Sequence, residues 1–132
     1  MGKKGTNPGE FSKPHNIVID AEGLVYVADR HNYRIQVFDA KGKFLKQWRN
    51  VGRPFGLYLT PDQKLFVTDA NENGPHRVLI LDLNGNILGT IGKTGSKPGQ
   101  FNTPHSIYVD GQGNVYVAEV ENQRIQKFVP LP

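Results

Sequence analysis

Hydrophobic residues fall in short runs along this chain, and Gly, Pro, Asn and Asp residues lie between the runs. Clear examples are residues 17–19, 24–27 and 35–38, which are rich in β-branched and aromatic side chains. Each run is too short for a helix of ordinary length. No segment places apolar residues at positions i, i+3, i+4 and i+7 over three turns. The pattern therefore predicts an all-β protein.

The runs recur as an internal repeat, which is the most informative feature of the sequence. Residues 5–38 match residues 95–128, and 18 of the 34 positions are identical. A more divergent third copy lies between them. The length differences between copies fall near residues 72–75 and 92–98, which have the composition of loops. Insertions confined to loops indicate a structural repeat.

Each copy contains up to four predicted strands. In the first copy they cover about residues 16–20, 24–28, 34–38 and 44–48. The turns between them contain Gly23 and Gly42, and Gly supplies the positive φ of tight hairpin turns. Four antiparallel strands in a unit of about 40–50 residues are typical of a β-propeller blade. A β-sandwich has similar strand spacing but no reason to repeat its sequence.

We therefore predict one domain of three blades over residues 1–132. The predicted bounds are about 11–50 for blade 1, 51–94 for blade 2 and 95–130 for blade 3. Blade 3 lacks a fourth strand, so the last of the three four-stranded antiparallel repeats is incomplete.

The motifs inside each copy resemble the NHL repeat. The pattern is Pro-x-x-Ile-x-x-Asp, then Gly-x-Val-Tyr-Val-Ala-Asp, then Asn-x-Arg-Ile-Gln-x-Phe, and the resemblance covers essentially the whole chain. It implies NHL-type propeller blades that form half of a six-bladed ring. The chain is therefore either a fragment of a longer propeller or half of a homodimeric ring. Because two outer faces and their strand edges would otherwise be bare, we favour self-association that completes the ring.

The cluster Pro-Gly-Gln-Phe-x-x-Pro-His-Ser at residues 98–106 is similar to the core of the peptidyl-α-hydroxyglycine α-amidating lyases. In that family, alternate blades carry a His at the start of the innermost strand, and three such His residues bind one zinc on the channel axis. This chain has His15, Phe55 and His105 at the equivalent positions. The resemblance thus implies His15 and His105 as zinc ligands, which suits the chemistry of neutral imidazole. A third ligand is missing from this chain.

The same resemblance implies a catalytic role for Arg30. In the lyase, an Arg after the Val-Ala-Asp motif helps to bind the substrate carboxylate, and Arg30 follows that motif here. The alternative interpretation is an exposed loop Arg, and the copy in blade 3 has Val120 at this position. The Tyr that acts as general base in the lyase lies in a blade with no counterpart here. One family zinc His is followed by Asp, where this chain has Ser106.

Acidic residues recur where the predicted strands end. They are Asp20, Asp29, Asp69, Asp110 and Glu119. One interpretation is that they coordinate Ca²⁺, since the family resemblance implies calcium as well as zinc, or that they bind sugars. The other, which we favour, is that these side chains accept hydrogen bonds from backbone N–H groups in turns.

Composition narrows the possible partners, metal-site chemistry and location of the protein. The 16 Lys and Arg residues exceed the 12 Asp and Glu residues by four, and no stretch interleaves basic with aromatic residues, so a nucleic-acid partner is not favoured. The absence of Cys excludes disulfides and thiolate metal sites, and no apolar run is long enough to cross a membrane. No signal peptide is recognisable in this chain, whereas the family resemblance implies a secreted or periplasmic protein.

Two functions remain open, and with them the question of whether the chain is an enzyme. The first is a zinc-binding, lyase-type propeller acting on peptides that end in hydroxyglycine. The second is a non-catalytic NHL scaffold that binds a protein, a peptide or another ligand at its rim. The alternation of His15, Phe55 and His105 favours the first function. The absent Tyr base and third His favour the second.

Overall fold

The computed structural model describes residues 2–131. These residues form fifteen β-strands and one three-residue 3-10 helix at Arg30–Asn32, which confirms the all-β prediction. The strands are β1 Lys3–Lys4, β2 Glu10–Phe11, β3 Pro14–Ile19, β4 Val25–Asp29, β5 Arg34–Phe38, β6 Phe44–Trp48, β7 Pro54–Leu59, β8 Leu65–Ala70, β9 His76–Leu81, β10 Ile87–Ile91, β11 Lys93–Thr94, β12 Gln100–Phe101, β13 Pro104–Val109, β14 Val115–Glu119 and β15 Arg124–Phe128. Within residues 2–131, no helix is long and apolar enough to span a membrane.

The longer strands form three antiparallel sheets in chain order. Blade 1 contains β3 to β6, blade 2 contains β7 to β10 and blade 3 contains β13 to β15. The innermost strand of blade 2, β7, contacts both β3 and β13, so the three sheets meet along their first strands. Two short parallel pairs, β1 with β2 and β11 with β12, precede blades 1 and 3. This arrangement is part of a β-propeller.

The strand bounds in blade 1 differ from the prediction at the inner two strands. The first strand begins at Pro14 and ends at Ile19, and the second covers Val25–Asp29. Asp20 belongs to the turn instead, because its carboxylate accepts hydrogen bonds from the N–H groups of Glu22 and Leu24. The third and fourth strands have the predicted bounds.

The hydrophobic cores lie between neighbouring sheets. Tyr26, Ile35 and Trp48 of blade 1 pack in one cluster with Leu57 and Leu79 of blade 2. The opposite face of blade 2 packs in a second cluster with blade 3. Successive strand residues point to opposite faces of a sheet, so blade 2 must be apolar on both faces. Fully burying one Leu or Ile side chain contributes about 1.5–3 kcal/mol, so the contacts between blades contribute substantially to stability.

The hairpin turns repeat one hydrogen-bond pattern that uses an aspartate. The carboxylates of Asp20, Asp39, Asp82 and Asp110 each accept bonds from the N–H groups two and four residues later. The predicted turn role of Asp20 and Asp110 is confirmed. A hydrogen bond from the Asn86 side chain contributes most to lowering the pKa of Asp82 below its ordinary 3.8. Asn114 does the same for Asp110.

These lowered pKa values predict how stability depends on pH. A carboxyl group with a lower pKa in the folded state stabilises the protein above its unfolded pKa, and this contribution is lost as pH falls through the folded pKa. The melting temperature should therefore fall steeply below pH 3.8. Asp82→Asn should make the fall shallower, because Asn has no proton to gain in this range. Thermal scans at pH values above and below 3.8 test this prediction. An identical dependence of melting temperature on pH in both proteins would contradict the role of Asp82.

Candidate functional site

The two candidate metal ligands sit at irregularities in their strands. In β3 the pairing with β4 steps from Pro14 to Asn16, so His15 is the extra residue of a β-bulge. In β13 the pairing with β14 steps from Pro104 to Ser106, and His105 is the extra residue. A bulge bends the strand and redirects a side chain, and bulges are frequent beside functional sites. The same register shift in two blades gives both imidazoles equivalent positions.

The structure brings these two side chains together. The ring centroids of His15 and His105 are 4.4 Å apart, and the rings meet edge to face at 82°. Each imidazole centroid lies 5.2 Å from the ring centroid of Phe55, which comes from the blade between them. Phe55 is buried and forms an apolar wall beside the pair. The geometry agrees with the expectation that alternate blades direct their His side chains at one spot.

Hydrogen bonds with blade 2 hold both histidines in place. The Nδ1–H of His15 donates to the carbonyl oxygen of Phe55 at 3.0 Å, which leaves Nε2 available. The carbonyl oxygen of His105 accepts a bond from the Thr68 hydroxyl at 2.9 Å. The same hydroxyl accepts a bond from the backbone N–H of Gly56 at 2.7 Å. Thr68 thus fixes the start of β13 against the start of β7.

Two arginines lie against the ring of Phe55. The guanidinium carbon of Arg30 lies 4.9 Å from the Phe55 ring centroid, and that of Arg53 lies 5.0 Å from it. Arg53 is anchored by bonds to the Ala70 carbonyl and the Glu72 carboxylate. Arg30 is half-buried, rather than an exposed loop residue, and its Nε atom is buried with no hydrogen-bond partner among residues 2–131.

The surroundings favour the neutral form of His105. Its pKa is lowered mainly by burial and further by the neighbouring charges of His15 and Arg30. Neutral imidazole has a lone pair on one ring nitrogen and can bind a metal ion or accept a hydrogen bond. Among residues 2–131, no group of three or more His, Asp or Glu side chains is placed to hold a metal ion. Within the described chain, the imidazole pair therefore has no third such side chain beside it.

The remaining strand-end acids form ion pairs inside their blades. Asp29 pairs with Arg34, Asp69 with Arg77, and Glu119 with Arg124 at 2.6–3.0 Å. Each acid also accepts a backbone N–H bond, but the donor lies 16–17 residues earlier, just before the first strand of the blade, so these three acids do not have the predicted turn role. The ion pairs were not predicted, although an Arg follows each acid at the start of the next strand.

Two further residues of the site were missed in the sequence. Arg53 precedes the first strand of blade 2, where the other copies have Lys13 and Thr103. Thr68 replaces an Ala that both other copies have at the end of their second strand. The departure of Thr68 from the repeat was the available signal, because a hydroxyl at an otherwise apolar position requires a polar partner.

Comparison with known proteins agrees with the repeat analysis. The family model described as NHL repeat matches residues 11–38 and 101–128. NHL repeat-containing protein 3 of Mus musculus is 36% identical over 98% of this chain and 39% of its own length. Peptidyl-glycine alpha-amidating monooxygenase B of Xenopus laevis is 34% identical over 93% of this chain and 15% of its own length.

A probable peptidyl-alpha-hydroxyglycine alpha-amidating lyase of Caenorhabditis elegans is also similar, at 28% identity over 91% of this chain and 38% of its own length. The chain therefore spans less than half the length of these curated relatives.

Solved structures share the fold. Virginiamycin B lyase from Staphylococcus aureus superposes with a TM-score of 0.64 at 18% identity, over 98% of this chain and 43% of that one. The WD40 β-propeller domain of Doa1 superposes with a TM-score of 0.63 at 14% identity, over 83% of this chain and 34% of that one. Identities this low establish the architecture alone. The repeats, the sheet order and these similarities together identify the chain as a segment of an NHL-repeat β-propeller.

Proposed function

We propose that this segment supplies two imidazole ligands, His15 and His105, to a zinc site on the propeller axis, as in the amidating lyases. The proposal rests on one observation above all. Two bulged His residues from alternate blades place their ring centroids 4.4 Å apart at one end of the innermost strands. Repeat duplication explains why a His recurs in the sequence, but it does not require the two rings to converge.

The hydrogen bonding of His15 suits a ligand. Metal-binding His residues commonly donate their other ring N–H to a carbonyl or carboxylate, which fixes the tautomer and the ring orientation. His15 donates from Nδ1 to the Phe55 carbonyl and has Nε2 free for a metal. Zinc at such a site acidifies a bound water or polarises a substrate oxygen. Since residues 2–131 hold no third ligand, tight binding requires one from outside these residues.

Arg30 is suited to binding the substrate beside the imidazole pair. Its guanidinium lies over Phe55 beside the imidazole pair, and its Nε–H has no partner among the described residues. A guanidinium binds a carboxylate with two parallel hydrogen bonds, and a buried donor without a partner gains most from such a ligand. We therefore assign Arg30 to the carboxylate of a peptide that ends in hydroxyglycine.

The metal proposal predicts a specific loss of zinc affinity. His15→Ala and His105→Ala should each weaken zinc binding at least tenfold in competition titrations with a chromophoric chelator. His31→Ala is the matched control, because His31 is an exposed His near Arg30 that lies outside the pair. Its affinity should equal that of the unaltered protein. If all three variants bind zinc as the unaltered protein does, His15 and His105 are not ligands.

The second candidate function is a scaffold that binds an acidic ligand at the same end of the blades. The observation that favours it is the pair of arginines, Arg30 and Arg53, around Phe55. Their positive charges oppose a cation and attract a carboxylate. No measurable zinc binding by the unaltered protein would favour this function over the metal site.

A further inference from the structure

The two outer sheet faces of the segment expose apolar side chains that belong in a core. On blade 1, Ile19 is 62% exposed, and Ile17 beside it is also exposed. On blade 3, Ile125 is 73% exposed, and Tyr108 is exposed as well, although one edge of its ring packs against Tyr58 of blade 2 at 4.9 Å between centroids. Isolated exposed apolar residues are ordinary, but groups on one sheet face mark an interaction surface.

The junction between blades 2 and 3 shows what such faces contact. There, Phe101, Val109 and Val117 of blade 3 pack in one cluster with Phe66 and Val78 of blade 2. Val109 is 5% exposed and Val78 is 0% exposed. Both sides of this junction come from repeats of the same sequence, so the junction is a template for the outer faces.

The outer faces match the two sides of this template. Blade 1 has Phe11, Ile19 and Val27 where blade 3 has Phe101, Val109 and Val117. Blade 3 in turn has Tyr116 and Ile125 where blade 2 has Phe66 and Val78. The outer face of blade 1 is therefore one half of a blade junction, and the outer face of blade 3 is the other half.

The outer face of blade 1 contains a cleft where the template junction has a residue of the neighbouring blade. It has a volume of about 620 Å³ and lies over Phe11, with Lys4 and Lys13 among its lining residues. Phe11 is partly exposed, whereas the matching Phe101 is fully buried. At the template junction His76 of blade 2 occupies this place. Its backbone N–H donates to the Thr94 hydroxyl, and its Nδ1 accepts from the Thr103 N–H.

Charge at this place points to blade 3 as the occupant. Lys4 and Lys13 replace Thr94 and Thr103, and both lysines are exposed. On blade 3, exposed Glu121 holds the position that Asn71 has in blade 2. In the template, the Asn71 carbonyl oxygen accepts a hydrogen bond from His76 Nε2 at 3.0 Å. The His76 imidazole is thus bonded to the backbone of both Asn71 and Thr103 and lies between them. A blade 3 packed in the same way would therefore bring Glu121 within reach of Lys13.

We propose that the occupant of each outer face is a second copy of this chain. The two copies join head to tail, so that blade 3 of each packs on blade 1 of the other, and two identical junctions close a six-bladed ring. Closed symmetry of this kind leaves no face unpaired. If the zinc proposal also holds, the second copy brings its own His15 and His105 to the axis and supplies the missing ligands.

The test is the oligomeric state of the purified chain in the presence of a chelator. Light scattering after size exclusion should give twice the chain mass of 14.7 kDa. Ile125→Asp and Ile19→Asp should each weaken dimerisation at least a hundredfold, because both junctions would bury a carboxylate. Leu88→Asp is the control. Leu88 is 53% exposed on β10, away from both outer faces, and its variant should remain a dimer.

A charge exchange identifies the partner as a second copy. Lys13→Glu should weaken the dimer about tenfold, because it opposes Glu121 at both junctions. The double variant with Lys13→Glu and Glu121→Lys should recover dimerisation, since each copy then carries the matching charge for the other. A folded monomer of the unaltered chain at micromolar concentration would overturn the proposal. So would a dimer that is insensitive to Ile125→Asp. A dimer that binds no zinc would overturn the metal proposal alone.

Discussion

Arg34→Met is expected to destabilise the protein by about 3–5 kcal/mol, because it leaves the Asp29 carboxylate buried without its ion partner. Both side chains are 0% exposed, and Arg34 Nε lies 2.7 Å from Asp29 Oδ2. Water cannot replace the lost donor in this position. Arg34 also donates to other oxygen acceptors, namely the carbonyl groups of Thr6, Asn7 and Glu10 and the side chain of Gln47. The residue therefore joins blade 1 to the segment that precedes it.

Urea unfolding followed by Trp48 fluorescence measures this loss, since Trp48 is buried against blade 2. Arg124→Met is the matched control in blade 3. The Arg124 side chain is 27% exposed, so water can partly replace its bonds to Glu119. Its expected cost is smaller, at about 1–3 kcal/mol. Equal losses for the two variants would show that burial does not set the strength of these pairs.

Gly56→Ala is expected to destabilise the protein by about 1–3 kcal/mol and to disturb the imidazole pair. A Cβ atom on Gly56 would lie well inside van der Waals contact with the carbonyl oxygen of His105. A change of side-chain rotamer cannot relieve this contact, because the obstacle is backbone. Strand β13 would have to move away from β7, and His105 would move with it. We expect the variant to lose zinc affinity together with stability.

Gly89→Ala is the control for this prediction. Gly89 lies on β10, and a Cβ atom there would meet nothing within 4 Å. Its substitution should change the free energy of unfolding by less than about 1 kcal/mol and leave zinc binding unchanged. A Gly56→Ala protein as stable as the Gly89→Ala protein would mean that blades 2 and 3 separate easily at their inner strands.

The fold was predictable because its signals are local and repeated. The apolar runs, the Gly-containing turns and the 18 identical positions between the outer copies were enough to infer three blades. The strand ends were less predictable. Asp20 looked like the end of a strand, but its carboxylate organises the turn through backbone hydrogen bonds. Nothing in a short apolar run shows where a side chain starts to compete with the sheet for backbone donors.

The candidate site was only partly predictable, because it depends on contacts between strands and blades that a local sequence pattern does not show. Alternation of His15, Phe55 and His105 along the chain, with the family resemblance, was enough to single out two residues. Their approach to 4.4 Å depends on the β-bulges, which are register features that the sequence pattern did not show. Arg53 and Thr68 were missed because their partners, Phe55 and His105, lie on neighbouring strands or another blade.

The sequence by itself determined the repeat, the all-β class and the identity of the residues at equivalent blade positions. These follow from hydrophobic periodicity and turn chemistry, which act over a few residues. Tertiary structure alone decided which equivalent residues are buried. Val109 and Ile19 hold the same position in their repeats, yet the first is 5% exposed and the second 62%. The difference arises because blade 3 has blade 2 beside it, whereas no blade among residues 2–131 covers the outer face of blade 1. Burial is a property of neighbouring sheets, and a repeat sequence cannot show which of its copies has a neighbour.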